Sequence, residues 1–385
     1  MRAGGRDAHP PLSTGIRLST TGDLLHVVTA DDLPPGRIAF GRGLMWGTGL
    51  LLCLAAALQT AQAMGVIDLG LETWRPTLYA FITWAIALCW GQVLTRGEQG
   101  KRALFVLPAV LFVVALTVFP LLFGLLIALS DWNLSSPTGR QFNGLDNIRQ
   151  MWTDPFYWNA LGNMGWYCLA IVVEYAIAFG LALLLNAEIR ARKFFRVAFL
   201  LPLMLSPVAV SWMIGKSMLE PRFGPLARLG RALGWDTPSF FGDPLVAKLT
   251  IMAMDAWTYI PFMMIMLLAG LQAIPKEVQE AARVDGASGW RGFWEVTFPL
   301  MLPVSLTAIL IRIIFKLKLA DIVISVTSGG PGGATDTVTS FIFREYRDRS
   351  NVGYGTLLAM VYLVVIVIAM TILMKIADRF TRPRT

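Results

Sequence analysis

The chain has 385 residues, of which 55% are hydrophobic and 15% are charged, and its mean hydropathy is +0.59. These values exclude a soluble domain of ordinary composition and indicate a polytopic α-helical membrane protein. The net charge of +8 does not indicate nucleic-acid binding, because the basic residues flank apolar segments and form no basic stripe interleaved with aromatic residues.

Residues 1–43 are polar and contain two Pro-Pro pairs, which predicts a flexible cytoplasmic tail. Two apolar segments then predict an extra N-terminal transmembrane hairpin over residues 44–99. Six further apolar segments complete an all-α bundle of about eight transmembrane helices. The predicted spans are residues 44–64, 76–94, 104–129, 164–185, 199–219, 245–271, 302–326 and 354–374.

The basic residues predict the orientation of this bundle. Arg192 and Lys193 lie in one proposed inner loop, and every other proposed inner loop is also basic, so both termini are expected on the cytoplasmic side. Arginines in the proposed outer loops, such as Arg222 and Arg344, are not expected from this orientation. Pro202 predicts a kink in the fifth span.

The residue types that usually carry catalysis or bind metal are scattered. Cys53, Cys89 and Cys168 lie in separate apolar segments, and His9 and His26 lie in the polar tail. We therefore expect no metal site, no disulfide and no histidine-based catalysis. The sequence contains no GxxxxGK[ST] motif, so we expect this chain to bind no ATP and no other cofactor itself. The glycine-rich residues 329–333 lack the lysine of a phosphate loop, and we interpret them as a flexible outer loop.

Residues 274–303 form a polar segment between two apolar spans. Pro275 suits the first position of a helix, and Glu277 suits its first turn. Gly286 predicts the C-terminal cap of that helix, and Pro299 begins the next span. This pattern predicts a short helix, a sharp turn and re-entry into the membrane.

The spacing within this segment resembles a known signature. Glu280-Ala281-Ala282, then Gly286, then nine residues and Val296-Thr297-Phe298-Pro299 resembles the EAA signature of permease subunits of binding-protein-dependent ABC importers. Val296 and Phe298 are conservative departures from the family pattern. Residues 142–147 and 327–331 are similar to two further family segments, and the resemblance extends from about Leu104 to the C-terminus.

The resemblance implies an ABC importer permease core of six helices over residues 100–385. It implies a bacterial inner-membrane protein of the carbohydrate-uptake branch (maltose or glycerol-phosphate type), not itself an enzyme. The implied partners are a second homologous permease, two ATPase subunits that carry ATP and Mg²⁺, an extracytoplasmic solute-binding protein and a carbohydrate or polyol substrate, all within membrane lipid. In this family the loop 274–303 docks on the ATPase. The residues that match this role are Glu280, Ala281, Ala282, Asp285 and Gly286.

Several polar and aromatic residues lie within the apolar spans, where they usually face the protein interior or a water-filled path. They either pair with one another or contact substrate, and both interpretations stay open. The candidates for the substrate path are Glu174, Trp212, Asp255, Trp257, Tyr259, Arg312, Lys316, Lys318 and Asp321.

Helical spacing and depth predict how the charged candidates pair. Asp255 is expected to meet Lys316, and Glu174 is expected to meet Arg312, because each pair lies at a similar depth in its spans. Lys318 and Asp321 share another face of the seventh span as an i, i+3 pair, which predicts that they satisfy each other.

Two other function classes fit the sequence less well. A secondary transporter driven by an ion gradient could use the intramembrane acids Glu174 and Asp255, but it does not explain the spacing of the 274–303 segment. An integral membrane enzyme would need a reactive cluster of side chains, and the sequence offers none.

Overall fold

The computed structural model describes residues 33–70 and 73–381. Most of the predicted flexible tail therefore lies outside the described residues. The first helix begins at Pro35, nine residues before the predicted start of the first span. Proline at a first helical position has its φ already set for a helix and lacks an N–H that would be unsatisfied there. The last part of the predicted tail is therefore helical.

Most of the described residues lie in helices. The helices, in chain order, are α1 (Pro35–Ala63), α2 (Arg75–Ala128), α3 (Asp146–Thr153), α4 (Pro155–Asn186), α5 (Arg192–Met204), α6 (Pro207–Val210), α7 (Pro225–Ala232), α8 (Pro244–Ala273), α9 (Lys276–Val284), α10 (Gly289–Gly292), α11 (Phe298–Leu317), α12 (Asp321–Val326), α13 (Val338–Arg347) and α14 (Val352–Thr381). Two π-helical segments, Ser211–Met218 and Phe293–Thr297, adjoin α6 and α10. Strands β1 (Ser130–Asp131) and β2 (Gln141–Phe142) form a short antiparallel ribbon.

The described chain divides into two compact units at Pro120. In the first unit, α1 and the start of α2 are joined through Gln59, whose buried amide bonds the backbone of Thr73 and both the N–H and the hydroxyl of Thr77. The 54 residues of α2 are far more than the roughly 20 that one crossing needs. The helix breaks at Gly97, where φ is 57°, and so contains both the second and the third predicted spans. The predicted boundary after Gln99 stays a prediction.

Among the described residues, six helices are long and apolar enough to cross a membrane, or seven if one bent pair counts as a span. The bent pair is the fifth predicted span, where α5 and the segment Pro207–Met218 meet at 96°. The predicted kink is thus a bend of about a right angle between two separate helical segments. Pro207 disfavours helical geometry at the residue before it, and the Ser206 hydroxyl instead accepts from the Ala209 N–H at 3.2 Å and caps the second segment.

The second unit, from Leu121 onwards, has two apolar clusters that α4 and α8 share. One gathers Tyr167 and Met254 with residues of α12, α13 and α14. The other packs Phe179 and Met263 against Met301 of α11. Glu174 of α4 and Asp255 of α8 lie near the place where the first cluster gives way to the second.

Candidate functional site

The predicted short helix of the 274–303 segment is α9, and none of its residues is buried. Pro275 is the residue that precedes its first turn, with Glu277 in that turn. The helix stands between α8 and the polar turn that leads to α11. A helix with no buried residue is available to a partner surface.

Gly286 closes α9 as the sequence predicts. It has a φ of 81°, a conformation that a residue with a Cβ adopts at a cost. Its N–H bonds the Arg283 carbonyl at 3.1 Å, and the Ala287 N–H bonds the Ala282 carbonyl at 2.8 Å. These two bonds are the Schellman closure of a helix C-terminus, and they hold the sharp turn after α9.

The candidate coupling residues lie on this exposed helix and its cap. Glu280, Ala281, Asp285 and Gly286 are exposed, and Ala282 is half-buried. Within the described residues, no ion pair involves the charged members of this set. A cleft of about 390 Å³ opens between α9, α10 and the ends of α4 and α8. The segment therefore presents free charge and a concave surface together.

An aromatic cluster joins the turn after α9 to the membrane helices. The Phe293 ring packs edge-on against Phe179 of α4, at 5.5 Å between centroids. Trp294 contacts both Phe293 and Phe298 at 5.0 Å. Trp290 stacks on Phe293 at 5.9 Å. These rings link the coupling segment mechanically to α4 and α11.

Four buried charged side chains meet at the centre of the second unit. Arg312 donates from Nε to Glu174 Oε2 at 2.7 Å and from Nη2 to Asp255 Oδ2. Lys316 donates from Nζ to Glu174 Oε1 at 2.7 Å and also to Asp255 Oδ2. We call these four residues the charge cluster. It ties α4, α8 and α11 together.

The charge cluster is electrically balanced and closed to solvent. All four side chains are at most 2% exposed, and two cations oppose two anions. Both predicted pairs, Asp255 with Lys316 and Glu174 with Arg312, are confirmed. The two cross-pairs were not predicted, because depth arithmetic assigns one partner to each charge and cannot place three helices around one point.

The other candidates for the substrate path lie in different surroundings. The Tyr259 ring lies 4.6 Å from Arg312 Cζ, as a cation–π contact. Trp257 is partly exposed and lines an apolar pocket of about 570 Å³. The other lining residues come mainly from α7, α8 and the π-helical segment Ser211–Met218. Trp212 is exposed. Among the described residues, no hydrogen bond or ion pair links Trp212 to the charge cluster.

The predicted pairing of Lys318 with Asp321 is wrong. Both side chains are exposed, and no ion pair joins them in the described part of the chain. The reason is that the seventh span is not one continuous helix. Helix α11 ends at Leu317, and α12 begins at Asp321, so the three-residue spacing no longer places them on one helical face.

The glycine-rich loop 329–333 is anchored, which corrects the expectation of a flexible loop. The Gly333 carbonyl accepts from Asn159 Nδ2 at 2.7 Å and from Asn163 Nδ2 at 3.1 Å. The Tyr167 hydroxyl donates to the Thr335 carbonyl at 3.0 Å. Three polar side chains of α4 therefore hold this loop by its backbone.

An ion pair, separate from the charge cluster, lies beside this loop. The Asp336 carboxylate is buried and pairs with Arg344 of α13, whose Nη1 also donates to the Ser328 carbonyl at 2.7 Å. Burial raises the pKa of Asp336, and the Arg344 guanidinium offsets part of that rise. Gly329 packs against this pair so closely that an added Cβ would overlap the carboxylate.

Sequence reasoning missed this pair and the asparagines that hold the loop. The available signal was the spacing between the Thr-Ser-Gly-Gly-Pro segment and a conspicuous Asp-Thr a few residues later. Among the described residues, no group of three or more histidine, cysteine, aspartate and glutamate side chains could hold a metal ion. The described residues that remain as candidates for function are the buried charges, the exposed coupling residues and the aromatic rings.

Comparison with known proteins covers most of the chain. The family model described as "Binding-protein-dependent transport system inner membrane component" matches residues 174–383. The trehalose/maltose transport system permease protein MalF of Thermococcus litoralis is 30% identical over 72% of this chain and 94% of its own. The sulfoquinovosyl glycerol transport system permease protein SmoG of Agrobacterium fabrum is 32% identical over 71% and 88%.

A solved structure shows the same fold. It is the crystal structure of a bacterial ABC transporter involved in the import of the acidic polysaccharide alginate. One of its chains aligns with a TM-score of 0.64 and 21% identity, over 74% of the present chain and 99% of its own. The matched family region begins at Glu174 and contains the whole charge cluster and the whole coupling segment.

Proposed function

The chain belongs to the family of binding-protein-dependent transport system inner membrane components and is a permease subunit of an ABC importer, and on that premise we propose that it imports a sugar or a sugar-like solute. Relatives named for trehalose and maltose and for sulfoquinovosyl glycerol support this solute class. The relatives contradict the ion-gradient alternative. The charge cluster offers that alternative no free carboxylate, since a cation engages each acid.

The observation that carries the proposed mechanism is the exposed helix α9 between two membrane helices. We propose that it docks on one of two ATPase subunits, where ATP and Mg²⁺ bind. Closure of the ATPases would displace α9 and, through the rigid turn at Gly286, α11. The aromatic cluster around Phe293 would pass the movement to α4. A second homologous permease would complete the path.

The orientation follows from the same proposal. Docking places α9, and with it both chain termini, on the cytoplasmic side of a bacterial inner membrane. The glycine-rich loop and α13 would then face the solute-binding protein on the other side. The charge cluster and Tyr259 would lie between these two surfaces, beside the solute path, where Trp212, Trp257, Lys318 and Asp321 are further candidates for contact with the solute.

Uptake in proteoliposomes tests this function. The complete transporter, with its solute-binding protein, should accumulate a labelled carbohydrate when ATP is enclosed with the ATPase. An ATPase variant without its P-loop lysine should abolish uptake, and an ionophore that collapses ion gradients should not. Uptake that persists with the inactive ATPase would overturn the proposal. A panel of sugars, polyols and glycosides, read by stimulation of ATP hydrolysis, identifies the solute.

A further inference from the structure

The start of α5 carries positive charge that the transport mechanism does not use. Arg190, Arg192, Lys193 and Arg196 lie within seven residues of one another. Within the part of the chain that the structure describes, none of them forms an ion pair with an acid. We call these four residues the basic segment. Its charge is therefore available to an anion from outside the chain.

The basic segment is built into the fold and is not a loose surface run. With the Gln272 amide oriented by its hydrogen bonds, the amide oxygen accepts from Arg192 Nη2 at 2.9 Å and from Arg196 Nη2 at 2.6 Å. One neutral acceptor thus holds two guanidinium groups side by side. Their buried Nε atoms find no hydrogen-bond partner among the described residues. Two half-buried guanidinium groups held side by side concentrate positive charge, which favours a shared anionic ligand.

The rest of α5 has the surface of a helix at a membrane interface. Phe194, Val197 and Leu201 are exposed and follow the spacing of one helical face. The 96° bend before Pro207–Met218 means that the two segments cannot both run along the membrane normal. A tilted helix with a basic start and an exposed apolar face suits the boundary between lipid headgroups and acyl chains.

We propose that the basic segment binds the phosphate headgroup of an anionic phospholipid in the cytoplasmic leaflet, with the lipid's acyl chains along the exposed face of α5. The cytoplasmic placement rests on the orientation given under the proposed function. Clusters of four or more basic residues beside a membrane helix attract anionic lipid, at about 1 kcal/mol or fivefold in affinity for each charge. The exposed members, Arg190 and Lys193, would meet the headgroup directly.

The site also connects to the coupling segment. Gln272 lies in the last turn of α8, three residues before Pro275 and the start of α9. An anion on Arg192 and Arg196 would hold them in the geometry that grips Gln272. The lipid would thereby brace the base of α9 against α5.

Lipid retention by the full-length chain tests the site. The chain is placed in nanodiscs of mixed phosphatidylglycerol and phosphatidylethanolamine, released, and examined by native mass spectrometry for bound lipid. Wild type should retain phosphatidylglycerol selectively. Arg190→Gln with Lys193→Gln should weaken that retention on the order of tenfold or more. The matched control is Lys375→Gln with Arg379→Gln, which removes two exposed charges at the end of α14 and should leave retention unchanged.

Each other outcome overturns the site. Equal losses in the variant and the control would show general attraction to a basic surface. Unchanged retention in the variant would remove the basic segment as the site. Displacement of the lipid by millimolar inorganic phosphate would indicate a site for a soluble anion. Because the assay contains neither ATP nor sugar, its result is independent of the solute class.

Discussion

The Arg312 guanidinium and the Glu174 carboxylate meet at 2.7 Å between Nε and Oε2 although 138 residues separate them in the chain. Each of the two residues also has a second partner. Arg312 pairs with Asp255, and Glu174 pairs with Lys316. The four side chains act as one neutral unit inside the helical bundle. A change at any one of them leaves the unit with a net charge.

Removal of one member should therefore cost more than removal of a balanced pair. Lys316→Ala leaves two buried acids with one cation, and breaking a buried pair costs about 3–5 kcal/mol. Adding Asp255→Ala restores neutrality around Arg312 and Glu174. We expect low membrane abundance and low uptake for the single variant and a partial recovery for the double variant.

Lys318→Ala is the control for this experiment, since Lys318 is exposed and lies two residues away. It should leave membrane abundance unchanged. Abundance is read by immunoblot of membrane fractions, and uptake is read with labelled solute. If the double variant is no more abundant than the worse single variant, the four charges do not act as one unit.

The turn at Gly286 should be required for coupling but not for insertion. Gly286→Val forces a β-branched residue into the left-handed region, at about 1–2 kcal/mol, and disturbs the closure of α9. Transporter-stimulated ATP hydrolysis should fall while membrane abundance persists. Gly162→Val is the control, because Gly162 lies in α4 with nothing within 4 Å of an added Cβ. Normal coupling in Gly286→Val would rule out this turn as the transmitting element.

The ion pair beside the glycine-rich loop should give a pH signature. Arg344→Gln leaves the Asp336 carboxylate buried without its cation, so the pKa of Asp336 rises further above its usual range. The folded state then binds the proton more tightly than the unfolded state. The loss of stability, up to about 3 kcal/mol, should be greatest above this raised pKa. The loss of stability should shrink as the pH falls through the raised pKa of Asp336 towards the usual aspartate pKa of about 3.9.

Thermal unfolding of the detergent-solubilised chain at mildly alkaline and mildly acidic pH measures this effect. Arg347→Gln removes the same charge from the exposed side of α13, where the guanidinium lies over the Phe343 ring. It should show little pH dependence. A deficit for Arg344→Gln that stays constant with pH would mean that Asp336 is not the group responsible.

The same pair should make Gly329 the least replaceable glycine of its loop. Gly329 and Gly332 both have positive φ, so an alanine at either strains the backbone by about 1–2 kcal/mol. At Gly329 the added Cβ would also overlap the Asp336 carboxylate, whereas at Gly332 it meets nothing within 4 Å. Gly329→Ala should therefore lower the unfolding temperature clearly more than Gly332→Ala. Equal effects would leave backbone strain as the whole explanation.

The fold class and the coupling helix could be predicted because local rules govern them. Long apolar segments with few charges need a membrane, and Pro275 and Gly286 specify where α9 begins and ends through their own φ angles. Depth along a helix also follows from the sequence, which is why Asp255 was matched correctly with Lys316. Each of these inferences uses only positions within single elements and the one loop that joins α8 to α11.

The sequence by itself therefore determined that the chain is a helical membrane protein with a polar coupling segment and buried charges that need partners. The tertiary structure alone decided that four charges share one centre, that α4 holds the glycine-rich loop through Asn159 and Asn163, and that α5 turns through 96°. The first two of these features depend on how distant helices pack. A single helical span fixes the depth and the face of each side chain, but the neighbour that it meets is set by contacts between segments that lie from 57 to 174 residues apart.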